Sequence, residues 1–279
     1  ELHSRVGVAL HTAMDLGELA KQRGWSEEEA RLRNALCEIG KLCYQRNYIV
    51  GADGNLSAKL ADGTILITPA GAMKGFLSPA NLAHIDTDGR VVDAGPKPST
   101  EVGIHLVSYR ERPEMKAVLH CHPPHAVALT LVGIDMQLPI IPEIIVTIGG
   151  IPTAPFATPG TNELPESIRA IVKCSDTLVM QNHGSVTLGT SLMDAYKKLD
   201  MLEHTARILW LAHSVGHVKP LSPEAVRKLL ETRKLLDVPR SELVGPIGYK
   251  NQVADLLLLV NALRGKWSVV FFYPADFTF

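Results

Sequence analysis

The stretch "KAVLHCHPPHAVALTLVG", residues 116–133, constrains the fold more than any other part of the chain. A short apolar run reads as a strand and is stopped by two prolines, which cannot donate to a sheet ladder. The apolar residues that follow resume as a helix. Side chains at i and i+2 of a strand share a face. His120 and His122 therefore point the same way, with Cys121 opposite. Two imidazoles converging at a strand end are able to hold a cation. An isolated H-x-H pair does not distinguish that reading from two partly solvated, hydrogen-bonded histidines.

The rest of the chain mixes helices and strands. Val6, Leu10 and Met14 predict a helix over 1–24. Ser26 and Glu29 form a capping box opening a second helix, striped by Leu32, Leu36, Ile39 and Cys43. "GADGNLSAKL" (51–60) breaks helicity and enters a strand. Ile65–Thr68 is a second strand, leading into the loop "TPAGAMKG", and 83–93 is a hairpin turning at Asp88-Gly89. Ser99 is placed to cap a helix with Glu101 in its first turn. Residues 141–164 read as a loop-rich excursion with short apolar strands, followed by a helix over 163–173. Two strands joined at "QNHGS" span 176–189, and a long amphipathic helix covers Asp194 to Ser214. The pattern predicts an α/β fold, with helices on both faces of a mainly antiparallel or mixed sheet. Three segments are expected: an N-terminal helical extension (1–29), a central α/β domain (30–217), and a C-terminal helical extension ending in an aromatic strand (218–279).

Composition narrows the function classes. With 46% apolar residues, 20% charged residues and a net charge of −1, the 279-residue chain offers no electrostatic reason to bind nucleic acid or an anionic membrane. "VADLLLLVNAL" (253–263) is too short to span a bilayer and reads as a buried helix. The opening "ELHSRVGVAL" lacks the regions of a secretory signal, and the four cysteines show no disulfide spacing. A reducing, cytoplasmic location is expected.

Other residues give the histidine pair company. His183, in "QNHGS", occupies a strand–turn–strand position from which a side chain can enter a cleft. A Glu101 carboxylate beside three imidazoles suits a fourth ligand or a general base; alone, a first-turn Glu simply stabilises its helix. "GADGN" and "TPAGAMKG" set glycines beside polar residues, as backbone N–H groups need when they approach a phosphate. Lys74 adds charge there.

"GADGNLS", "ITPAGAMKG", "KPSTEVGIHLVSY", "AVLHCHPPHAVAL" and "QNHGSVTLG" together resemble, in order and spacing, the class II aldolase/adducin family, over roughly residues 30–215. The family includes L-fuculose-phosphate and L-rhamnulose-phosphate aldolases, ribulose-phosphate 4-epimerase and methylthioribulose-phosphate dehydratase. The resemblance implies an α/β/α sandwich and a homotetramer with interfacial active sites. It also implies that His120, His122 and His183 ligate a divalent metal, with Glu101 as metal ligand and proton shuttle. A substrate phosphate is assigned to Gly54, Asn55, Ala70, Gly71, Ser99 and Thr100. Zinc suits such a donor set, and manganese, cobalt or iron also fit.

The implied reaction is cleavage of a ketose 1-phosphate to dihydroxyacetone phosphate and an aldehyde, through a metal-stabilised enediolate. An epimerase, dehydratase or decarboxylase on the same scaffold, or a noncatalytic adducin-like scaffold, are the alternatives. Two departures bear on the choice. Fuculose-phosphate aldolases protonate the leaving aldehyde oxygen with a tyrosine from the segment matching 140–150. This chain has no Tyr between Tyr109 and Tyr196, and Glu143 falls near that place. The family's epimerases carry Asp where Glu101 stands. His105 sits one helical turn after Glu101, where it is able to orient it, with a partly buried structural histidine the preferred reading. His125 is expected to be an outer residue at most and His84 part of a hairpin. The last fifteen residues, "GKWSVVFFYPADFTF", resemble the peroxiredoxin segment leading to the peroxidatic cysteine, without that cysteine.

Overall fold

The computed structural model describes residues 16–236. The first part of the helix expected over 1–24, the helix expected to end at Leu263 and the aromatic tail lie outside the described residues. Helices α1 (Leu16–Arg23) and α2 (Glu27–Gln45) lead to strands β1 (Asn55–Lys59), β2 (Ile65–Ile67) and β3 (Ala83–Ile85). Next come α3 (Val102–Glu111), β4 (Ala117–Cys121), α4 (Pro124–Leu131), α5 (Pro142–Thr147) and β5 (Thr153–Ala154). α6 (Glu163–Val172), β6 (Thr177–Met180), β7 (Gly184–Gly189), α7 (Leu192–Val215) and α8 (Pro223–Leu235) complete the strands and α-helices among the described residues.

The strands form one sheet in the order β3-β2-β1-β4-β7-β6-β5. Every pairing is antiparallel except the parallel pair β5–β6. Residues alternate between two cores. Ile65, Ile67, Val118, Val186 and Leu188 pack with Ile104 and Val107 of α3 and Ile168 of α6. Leu56, Leu66, Leu119 and Cys121 pack on the other face with Leu36 and Ile39 of α2 and Leu199 of α7. The result is the three-layer α/β/α sandwich that period-two patterning demands of a sheet buried on both sides. It also places Cys121 in the α2/α7 layer and His120 toward α3.

Three local expectations change. Ser26 caps α2 by accepting from Glu29 N at 3.1 Å, but the Glu29 carboxylate turns away to the buried Arg33, its Nη2 2.7 Å distant. Compensating a buried guanidinium outweighs closing the capping box. Glu101 is the N-cap of α3 rather than a first-turn residue, and the Ser99 hydroxyl accepts from Glu101 N at 3.3 Å. Within the 141–164 excursion, "PEIIVT" forms helix α5. Its proline suits a first helical turn, and Ile145 and Ile148 turn inward from it. Arg233 of α8 donates to the Ile145 and Val146 carbonyls at its C-terminal end, at 3.2 and 2.9 Å. No helix among the described residues is long and apolar enough to cross a membrane.

Candidate active site

The site gathers at one edge of the central strands. β4 lies between β1 and β7, and the register sets His120 opposite Asn55 on one side and Val186 on the other. The tight β6–β7 turn, with Asn182 at φ +57°, carries His183 to the same edge. His120, His122 and His183 form a group whose ligand atoms all lie within 4.8 Å of one another. His120 is fully buried. Its Nδ1 stands 2.9 Å from the Ser185 carbonyl, an acceptor only, so Nδ1 carries the proton. In its neutral tautomer the ring presents a bare Nε2. That nitrogen faces His122 Nε2 at 3.0 Å and Glu101 Oε2 at 3.3 Å. Glu101 Oε1 is 3.3 Å from His183 Nε2.

These spacings test whether a divalent ion fits. Two nitrogens bound to zinc at about 2.0–2.1 Å stand roughly 2.9–3.4 Å apart for angles between octahedral and tetrahedral. The 3.0 and 3.3 Å separations fall in that range. In that tautomer Nε2 and the carboxylate oxygen are two acceptors in contact, an arrangement resolved by a ring proton or by a cation. His183 Nδ1 is buried without a hydrogen-bond partner among the described residues. Burial, together with the neighbouring imidazoles of His120 and His183, pushes His122 down to about 3, keeping it in the neutral form a metal requires. The donor set fits a divalent cation.

Glu101 is held by a buried chain of polar groups that sequence reasoning did not assemble. Asn55 Nδ2 donates to Glu101 Oε2 at 2.9 Å, and Asn55 Oδ1 lies 2.6 Å from His105 Nε2. Since Oδ1 only accepts, His105 bears its proton on Nε2 and accepts at Nδ1 from the Ser57 hydroxyl, 2.6 Å away. Tyr109 O–H, 2.8 Å from the Ser57 oxygen, completes the chain. Burial pushes His105 down to about 3 and raises the Tyr109 phenol. Burial opposes the Glu101 charge, but the His120 and His183 imidazoles and the Asn55 amide outweigh it and hold the carboxyl well below its usual range. His105 thus acts on Glu101 through Asn55. The legible signal was polar residues at i, i+2 of a strand (Asn55, Ser57) and at i, i+4 of a helix (His105, Tyr109).

Glycines make room for the trio. A Cβ on Gly184 would lie 2.6 Å from the His122 ring and 3.0 Å from that of His120. One on Gly54 would lie 2.7 Å from the His120 carbonyl, and Gly54 also has φ +66°. Asp53, in the same loop, puts Oδ2 3.9 Å from His122 Nδ1.

The two glycine loops meet beside this edge, but several of their donors are already engaged. Asn55 is committed to Glu101 and His105, Ala70 N–H to the Lys97 carbonyl at 3.1 Å, and Ser99 N–H to the Thr68 carbonyl at 3.2 Å. Gly71 and Thr100 are exposed. Lys74 is buried and donates to the Ala52 carbonyl, tying one loop to the other instead of presenting its charge outward. His125 bonds Glu203 at 2.6 Å, and His84 bonds Thr64 at 2.8 Å. Glu143 is exposed on α5.

Residues 34–210 match the family model for the class II aldolase and adducin N-terminal domain. The chain belongs to the class II aldolase/adducin family. Within it, the chain is 34% identical over 191 residues to the 3-oxo-tetronate 4-phosphate decarboxylase of Escherichia coli K12, covering 67% of this chain and 90% of that protein. It is also 34% identical over 176 residues to the L-fuculose phosphate aldolase of Methanococcus vannielii, covering 62% and 94%. The crystal structure of YgbL from Escherichia coli superposes with a TM-score of 0.67 at 31% identity, covering 72% of this chain and 98% of that one. A solved L-fuculose 1-phosphate aldolase gives 0.68 at 25% identity, covering 73% and 96%. The α/β sandwich is thus that of a class II aldolase-family enzyme.

Proposed function

We propose that this protein is a divalent-metal-dependent carbon–carbon lyase that decarboxylates a phosphorylated 3-oxo sugar acid. The observation that carries the reading is the convergence of His120, His122, His183 and Glu101 at one end of the central strands. The three imidazoles would hold the cation. When bound, that ion supplies Lewis-acid stabilisation of negative charge on the oxygen next to the breaking bond. Glu101, fixed through Asn55, takes up a proton and delivers it to the carbon that loses its carboxyl group. Loss of carbon dioxide from a 3-oxo acid needs no group to manage the proton of a departing aldehyde. That agrees with the lack of any Tyr between Tyr109 and Tyr196. Exposed Ala70, Gly71 and Thr100 are assigned to the phosphate, with buried Gly54, Asn55 and Ser99 shaping the floor beneath it. Zinc is the preferred ion for this donor set.

A second reading, retro-aldol cleavage of a ketose 1-phosphate to dihydroxyacetone phosphate and an aldehyde, draws on the likeness to the Methanococcus vannielii fuculose phosphate aldolase. The metal-loaded protein is to be assayed for carbon dioxide release from phosphorylated 3-oxo sugar acids, and for triose phosphate release from ketose 1-phosphates. Carbon dioxide release alone supports the first reading. Triose phosphate release alone replaces it with the second. Neither activity, in a protein loaded with zinc, manganese or cobalt, overturns both.

A further inference from the structure

Of the three clustered imidazoles, His122 has the least support from its own element. His120 lies within β4 and is tied to Ser185, whereas His122 falls just past the strand, before two prolines. Those prolines also deprive α4 of a local cap. The N-cap position is Pro123, which provides no side-chain hydrogen bond, and Pro124 follows in the first turn. The first N–H groups of the helix need an acceptor from elsewhere.

Glu203 of α7 supplies it. Its carboxylate, 6% exposed, accepts from His125 N at 3.0 Å through Oε1 and from Ala126 N at 3.0 Å through Oε2. Oε1 also receives His125 Nδ1 at 2.6 Å. Three residues earlier, on the same face of α7, Asp200 accepts from the Tyr48 hydroxyl and from Arg46, whose Nη2 is 2.6 Å away. The Tyr48 carbonyl in turn receives His122 N–H at 2.8 Å. Two carboxylates of one helix thus grip the segments on either side of His122.

We propose that Glu203, assisted by Asp200, is a positioning residue for His122, and that α7 thereby sets the affinity of the metal site. The inference rests on the reading of the histidine trio as a metal centre. A carboxylate is required because three donors converge on it. Glutamine would turn an amide N–H toward one of them and leave α4 partly uncapped. Losing an outer partner of a metal ligand lowers affinity by about 10- to 100-fold.

The test measures zinc affinity of the full chain by competition with a chromophoric chelator, beside thermal unfolding of the metal-free protein. Glu203→Gln is expected to weaken zinc binding about 10- to 100-fold, and Asp200→Asn to weaken it less. Asp194→Asn is the control for general damage to the helix, since Asp194 lies at the far end of α7, where it binds Lys198 and Thr190 N. That variant is expected to lose stability with unchanged zinc affinity. Glu203→Gln binding zinc like the wild type overturns the proposal, as does an equal loss of affinity in Asp194→Asn. Should Glu203→Gln not fold, His125→Asn removes only the Nδ1 contact. It is expected to weaken binding less than tenfold, and wild-type affinity there together with wild-type affinity in Asp200→Asn counts against the proposal. A wild-type protein that binds no divalent ion fails the metal reading itself, a result distinct from variants that bind as the wild type does.

Discussion

Gly184 packs directly against His122: a single added methyl group would sit 2.6 Å from the imidazole. The same methyl would meet the Cys121 carbonyl at 2.6 Å, so the β7 backbone cannot retreat without disturbing its pairing with β4. Gly184→Ala is therefore expected to displace His122 and to lower turnover by about 100-fold, the scale of an ångström-sized misplacement at a reacting centre. Metal content of the purified variant, measured by elemental analysis, is expected to fall well below one ion per chain.

Glu101 and the histidines separate by substitution. Glu101→Gln preserves shape and the contact with Asn55 while removing the charge that moves the proton. Turnover is expected to fall by about 100- to 10,000-fold, with metal retained by His120, His122 and His183. Metal retention with near-wild-type rates would remove Glu101 from the proton-transfer role.

His105 makes acid sensitivity predictable in sign. Its folded-state value is pushed by burial down to about 3, from 6.5. Below pH 6.5 the unfolded chain binds a proton that the folded protein refuses, so stability falls as pH drops through the window from about 6.5 to 3. His122 of the metal-free protein contributes with the same sign. Each group adds a slope of at most about 1.4 kcal/mol per pH unit. Urea midpoints of His105→Gln, measured from pH 7 to pH 4, are expected to show a shallower acid limb than the wild type.

Asp176 anchors the opposite end of the sheet. Only 4% exposed, it receives Arg112 at 2.9 Å and Lys198 at 2.9 Å. Removing one member of a buried ion pair costs about 3–5 kcal/mol. Asp176→Asn is expected to lower stability by about 3 kcal/mol, read by urea unfolding, without changing zinc affinity.

Much of the site was legible because it depends on short-range periodicity. His120 and His122 share a face because a strand alternates, and Cys121 enters the opposite core for the same reason. The strand, Pro-Pro break and helix of residues 117–131 followed from two short apolar runs and the prolines that part them. The α5 helix was less legible, since a short run of isoleucine and valine suits strand and helix alike. Packing of Ile145 and Ile148 and the Arg233 contacts decided it.

Periodicity and residue chemistry fix the kind of layers, the identity of the chemical groups and the direction each strand side chain points. Which distant groups meet is settled by how the elements pack. Asn55, Glu101, His105, His120 and His183 come together because β1, β4 and β7 are adjacent and α3 crosses the face that His120 points to. The same holds for Glu203, which caps a helix 77 residues earlier in the chain. Local preference sets a residue's conformation within a few neighbours. Strand order and the need to satisfy buried donors choose its partners across the fold.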